Sequence, residues 1–122
     1  MTLSTSHENY LKVIYILKKE SGAVRSIDIA QYMRISKPSV CSAVKLLQAN
    51  GCITKGSDGM IELTPAGSAE AEAIFERHCF FEQQLIAAGV SPSQAHADAG
   101  KLEHAVSPES FEALRKSGSH SV

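Results

Sequence analysis

The 122-residue chain has no tryptophan and only three cysteines, and each scarcity narrows what it can be. Cys41, Cys52 and Cys79 form no CxxC pair and are odd in number, which argues against a disulfide framework and for free thiols in a reducing cytoplasm. No apolar run approaches the ~20 residues that a membrane-spanning helix needs, and the N-terminus carries no signal-peptide pattern, so a cytoplasmic chain is expected. A Gly-rich phosphate loop, an HExxH pair and a Ser-His-Asp order are also missing. An enzyme is therefore not expected, although a cluster of His and Glu keeps a catalytic metal conceivable.

Proline is sparse but placed to effect. All four prolines fall in first turns of predicted helices, three of them directly after a capping residue: Thr64-Pro65, Ser91-Pro92 and Ser107-Pro108. Ser91 has Gln94 three residues on, the pattern of a capping box. This punctuation predicts helices over about residues 8–20, 26–34, 36–50, 65–88, 92–106 and 108–117. Charge divides along the chain as well. Residues 1–64 carry eight Lys and Arg against five Asp and Glu, a net of +3, and residues 65–122 carry four against eight, a net of −4. A basic half fits DNA binding and leaves the acidic half to dimerise or bind cations; two ordinary solvated surfaces fit the same numbers.

Residues 25–64 decide more. Ser26 is placed to cap a short helix carrying Ile27, Ile29, Ala30 and Met33, and Ser36 to cap a second with Pro38 in its first turn. In that second helix Val40, Ala43, Val44 and Leu47 repeat at i, i+3, i+4 and i+7, one buried face. The opposite side shows small hydroxyls and lysines, a surface suited to a DNA major groove. Asn50-Gly51 stops the helix. The segments CITK (52–55) and MIELT (60–64) pair across a Gly-rich turn. The expected fold is mainly α: a winged helix-turn-helix with a small β-hairpin wing over residues 1–64, then a helical dimerisation and metal-binding region over 65–122. DNA contacts are expected from Ser36, Lys37, Pro38, Ser39, Ser42 and Lys45, with Arg25, Ser26 and Lys55 on phosphates.

In the acidic half, the long helix from residue 65 carries the stripe Ile74, Phe81, Leu85 and Ala88, widened by Phe80. That stripe either dimerises or folds back on its own chain. A dimer is preferred, because one small winged helix reads few base pairs. His78 and Glu82 are four apart on this helix; His96, Gly100, Glu103 and His104 are spaced along one side of the next. Spacing alone leaves a solvated polar face and a mixed nitrogen and oxygen metal site both open.

The segments HENYLKVIYIL (7–17), VRSIDIA (24–30), ISKPSVCSAVKLL (35–47), LTPAG (63–67), ERHCFFEQQL (76–85) and ADAGKLEHAVS (97–107) resemble the diphtheria toxin repressor family of metal-responsive bacterial regulators, which includes the manganese transport regulators. The resemblance implies a homodimeric transcription regulator, a repressor of metal homeostasis genes, on a palindromic operator. It implies regulation by a divalent metal: Mn²⁺ or Fe²⁺, with Zn²⁺, Co²⁺ or Ni²⁺ compatible. Longer members carry a further C-terminal domain. Carried over, His78, Glu82 and His96 match an ancillary site, and Glu103 and His104 match a pair of the main site. Gly100 stands where a Cys or Glu ligand is usual, Asn9 where Met or Asp is, and Lys12 where manganese-type members have Glu. These departures imply a degraded main site and an alternative: the same fold and DNA binding without metal control, responding to thiol oxidation at Cys41 or Cys79 or to nothing. One expectation is that Lys12 stands in for part of the ion's charge near Glu103.

Overall fold

The computed structural model describes residues 3–120, with side chains through Ser117. The chain resolves into two compact units, one running to Glu72 and the other from Ala73. The first contains α1 (Thr5–Ser21), α2 (Ser26–Met33), α3 (Lys37–Ala49), β1 (Ile53–Lys55) and β2 (Ile61–Leu63), with the start of α4 (Pro65–Ala87). The second contains the rest of α4, α5 (Pro92–Leu102) and α6 (Pro108–His120).

Local chemistry sets the ends of each helix. Ser4 caps α1, its hydroxyl accepting from the His7 N–H at 3.2 Å, and Gly22 closes it at φ 77°, a left-handed position that glycine adopts without strain. The expected cap of α2 moves by one residue. Arg25, not Ser26, is the N-cap, and its N–H donates to the Asp28 carboxylate at 2.8 Å. An aspartate three residues on supplies the acceptor, so the serine is pulled into the first turn and its Oγ is buried without a hydrogen-bond partner. Ser36 caps α3 as expected, and Arg34, at φ 56°, makes the turn between the two helices.

Helices and wing share one core. Leu11 and Ile14 of α1, Ile29 of α2, Val40 and Leu47 of α3 and Ile61 of β2 are fully buried together, with Val24. Burial at ~25 cal/mol per Å² of apolar surface is what holds helices this short in place. The wing is antiparallel, pairing Ile53 with Leu63, Thr54 with Glu62 and Lys55 with Ile61. The Ile61 N–H also donates to the Val24 carbonyl at 2.8 Å, which fastens the wing to the segment before α2. The result is a winged helix-turn-helix.

Where the wing meets α4, Thr64 ties several strands of chain together. Its Oγ1 lies 2.6 Å from the Gly51 carbonyl and accepts from the Gly67 N–H at 3.0 Å, while its own N–H donates to the Cys52 carbonyl at 3.0 Å. Gly67 is required there, since a Cβ at that position would lie 1.9 Å from the Cys52 oxygen.

In the second unit, α4 ends at Ala87 with Gly89 at φ 102°, and the Val90 N–H bonds back to the Leu85 carbonyl at 2.9 Å. Ser91 caps α5 by accepting from the Gln94 N–H at 3.3 Å; the Gln94 side chain turns to Asp98 at 3.0 Å instead of completing a capping box. Phe111 of α6 packs edge-on against Phe80, ring centroids 5.4 Å apart. The expected helix over 92–106 is shorter, because α5 stops at Leu102. Pro108 disfavours helical geometry at Ser107, and Ser107 is taken as a cap, accepting from the Ser110 N–H at 3.1 Å. Residues 103–105 form a turn, with the Ala105 N–H on the Leu102 carbonyl at 3.0 Å.

Candidate nucleic-acid interface and metal centre

On α3 the buried residues are Val40, Ala43, Val44 and Leu47, while Lys37, Pro38, Ser39, Ser42 and Lys45, with the cap Ser36, are exposed. Beside this face, Arg25, Lys37 and Lys55 line a concavity of about 210 Å³ together with Ile27 and Gly59. The Arg25 guanidinium is held there by the Asp58 carbonyl at 3.3 Å, which links the start of α2 to the tip of the wing. Three cations therefore line one concavity beside the exposed face of α3, chemistry suited to an anionic partner. Of the four serines among the nine expected DNA residues, Ser36, Ser39 and Ser42 are exposed, whereas the Ser26 hydroxyl is buried.

The donors of the second unit follow from a helical hairpin. Glu82 lies five residues before the end of α4 and His96 four after the start of α5. At ~1.5 Å per residue both are within about 8 Å of the turn, so antiparallel helices bring them level. His78 lies further from the same turn, nine residues before the end of α4, and Glu103 follows the last residue of α5. The Glu82 Oε2 is 2.7 Å from His96 Nδ1 and 3.4 Å from His78 Nε2, and the two ring nitrogens are 3.2 Å apart. Donors about 2.1 Å from one ion, at bond angles of ~90–110°, lie about 3.0–3.4 Å from each other. Two imidazole nitrogens and a carboxylate oxygen in this triangle fit a divalent transition metal in donor type and spacing. The hydrogen bond from His96, with the two nearby imidazoles, holds the Glu82 carboxyl below the usual carboxylate range, so the ligating form persists.

Glu103 and His104 are placed differently. Glu103 is fully buried; its Oε1 lies 2.7 Å from His78 Nδ1 and its Oε2 3.1 Å from His104 Nε2. Both carboxylate oxygens thus face imidazoles. The expected alignment of His96, Gly100, Glu103 and His104 along one helix does not hold, since Glu103 and His104 belong to the turn after α5. Counting residues outward from Gly89 pairs Glu82 with His96, seven residues away on either side, but pairs His78 with Gly100; Glu103 reaches His78 only because α5 ends at Leu102 and the chain turns there.

Sequence profiles of the iron-dependent repressors match in two parts: the N-terminal DNA-binding domain over residues 2–58, and the metal-binding and dimerisation domain over residues 64–121. The chain belongs to the iron-dependent repressor family. It is 35% identical over 108 residues to the transcriptional regulator MntR of Escherichia coli O157:H7, covering 88% of this chain and 70% of MntR. Against the diphtheria toxin repressor of Corynebacterium diphtheriae, identity is 30% over 103 residues, 84% of this chain and 46% of that one. The structure of the manganese regulator SloR superposes with a TM-score of 0.82 at 30% identity, over 98% of this chain. The chain spans 55% of the length of SloR.

Membership of the iron-dependent repressors removes the catalytic reading, since the family is one of repressors. It also coincides with the geometry. The exposed α3 face lies inside the part matched to a DNA-binding domain, and His78, Glu82 and His96 lie inside the part matched to metal binding and dimerisation. No helix among the described residues is long and apolar enough to cross a membrane.

Proposed function

We propose that this chain is a homodimeric transcription repressor of metal homeostasis that binds a palindromic operator in the cytoplasm, its affinity set by a divalent metal, Mn²⁺ or Fe²⁺. The observation that carries the reading is the donor triangle of His78, Glu82 and His96 in a chain whose α3 presents hydroxyls and lysines to solvent. Lys37, Ser39, Ser42 and Lys45 read or brace the major groove, and Arg25 and Lys55 hold flanking phosphates. Of the metal-ligand set expected from sequence, His78, Glu82 and His96 would hold the ion, with Glu103 and His104 directly behind them. The ion supplies positive charge that ties α4 to α5. Exposed Ile86, Leu102 and Leu114, with half-buried Phe81, Leu85 and Val106, supply apolar surface for a second copy.

Operator binding by the purified protein, in chelator and after adding back Mn²⁺, Fe²⁺ or Zn²⁺, tests this. Binding restored by metal supports it. Binding that is unchanged in strong chelator would instead assign a metal-independent repressor, a reading favoured by Gly100, which offers no donor, and by the occupied oxygens of Glu103.

A further inference from the structure

Three of the positions that the resemblance gave to a second metal site lie in the second unit: Gly100, Glu103 and His104. None of them is arranged as an open ligand. Gly100 has no side chain to donate, and a Cβ there would meet nothing within 4 Å among the described residues. Glu103 directs one oxygen to His78 Nδ1 and the other to His104 Nε2, and the side chains of Glu103 and His104 are 0% and 5% exposed.

We infer that Glu103 is a positioning residue for His78 rather than a metal ligand, with His104 bracing it from behind, and that the unit takes one ion per chain instead of two. The inference rests on the proposed metal reading of His78, Glu82 and His96.

The chemistry is that of an outer-shell carboxylate. A Glu103 carboxylate oxygen 2.7 Å from His78 Nδ1 is placed to accept the hydrogen of that nitrogen, which assigns Nδ1 as the donor. A neutral ring with its proton on Nδ1 presents a bare lone pair at Nε2, the nitrogen that faces Glu82 Oε2 at 3.4 Å and His96 Nδ1 at 3.2 Å. A carboxylate accepting from the far side of the ring raises the ring's donor strength, and the short hydrogen bond fixes its rotation. His96, whose side chain is 71% exposed, has only Glu82 as a carboxylate partner among the described residues, with the His78 ring edge-on beside it. Were Glu103 to turn toward an ion of its own, the buried His78 N–H would lose its acceptor and His104 its carboxylate. Gly100 would still supply no second donor one turn before it. One well-oriented site therefore replaces two.

Two measurements on the whole protein test this. In metal-free wild type, long-range ¹H–¹⁵N correlation of the imidazoles should show His78 protonated on Nδ1 and bare at Nε2, and Glu103→Gln should keep that tautomer because its amide oxygen still accepts. In Mn²⁺ titration followed by the spectrum of free Mn²⁺, wild type should take one ion per chain. Glu103→Gln should still take one with affinity about 10–100-fold lower, the usual effect of removing an outer-shell partner, whereas His96→Ala should lose the ion. A His78 bare at Nδ1 in the metal-free protein, a second ion per chain, or a Glu103→Gln protein as devoid of metal as His96→Ala would each overturn the inference. Absence of any ion from wild type that shows the expected His78 tautomer would instead refute the metal reading, and the one-ion count with it.

Discussion

Gly67→Ala should destabilise the winged half of the molecule although it adds one methyl group and improves helix propensity. Gly67 is buried in the first turn of α4, and a Cβ there would lie 1.9 Å from the Cys52 carbonyl oxygen and 2.8 Å from its carbon. Ordinary carbon–oxygen contact needs about 3.3 Å, so the two backbones must part by more than about 1 Å. The Cys52 carbonyl cannot yield cheaply, because it accepts from the Thr64 N–H at 3.0 Å in the knot that joins the wing to α4. Overpacking costs about 1–3 kcal/mol, and here it falls on backbone, toward the upper end. Losing the Thr64 bond adds about 1 kcal/mol. Replacing a helical glycine returns about 1 kcal/mol at most. The net is about 2–3 kcal/mol of destabilisation, which for a chain of this length lowers Tm by about 10 °C. Gly100→Ala is the internal control. The same substitution in α5 meets nothing within 4 Å, so it should leave Tm unchanged or raise it by a few degrees. Thermal unfolding followed by circular dichroism decides. A Gly67→Ala protein within about 2 °C of wild type, or no less stable than Gly100→Ala, would refute the close-approach reasoning.

The remaining expectations concern single side chains. Lys45→Ala and Lys55→Ala should each weaken binding to every DNA sequence and reduce the salt slope of log K by about 0.9 if each neutralises one phosphate; fluorescence anisotropy at several salt concentrations measures it, and an unchanged slope for both removes this face from the interface. Ser36→Ala should cost about 1 kcal/mol by uncapping α3, read as a shift in urea midpoint. Cys52 is buried and burial pushes its thiol up from the ordinary range, so it should resist alkylation at neutral pH while half-exposed Cys41 reacts. Rapid Cys52 labelling in the native protein would contradict that burial. Because its folded value is raised, the stability it contributes is full below the ordinary thiol range and is lost as pH rises through it. Sedimentation at micromolar concentration should find a dimer, and a monomer there would remove the palindromic-operator model.

What was legible in the sequence was written in local chemistry. Thr64-Pro65, Ser91-Pro92 and Ser107-Pro108 mark helix starts because a hydroxyl acceptor and a proline with no N–H to satisfy act within one turn. The split of α3 into a buried and an exposed face is legible for the same reason: a period of 3.6 residues needs no knowledge of the partner. Competition between neighbours was harder to read. Ser26 has the better side chain for a cap, yet Asp28 reaches the Arg25 N–H and takes the role. The predicted helix ran to residue 106, past the end of α5 at Leu102, and so put Glu103 and His104 on a helix instead of in the turn that follows it. Contacts distant in sequence left no periodic trace at all, as with Gly67 against Cys52.

The donor set falls between these cases. His78 and Glu82 share a face by helical spacing, which a sequence displays directly; their meeting with His96 depends on how tightly α4 turns into α5. Gly89 at positive φ and Ser91-Pro92 make that turn short, and short turns fix which residues lie level across a hairpin. Two signals, each readable, had to be combined to see the triangle. The role of Glu103 needed a third, the end of α5. A glycine at position 100 beside Glu103 and His104 looks contradictory while all three positions are regarded as ligands of one site. They are consistent once Glu103 and His104 support His78. A carboxylate fully buried against two imidazoles can orient a ligand without coordinating an ion itself, and that role needs no donor at the neighbouring glycine.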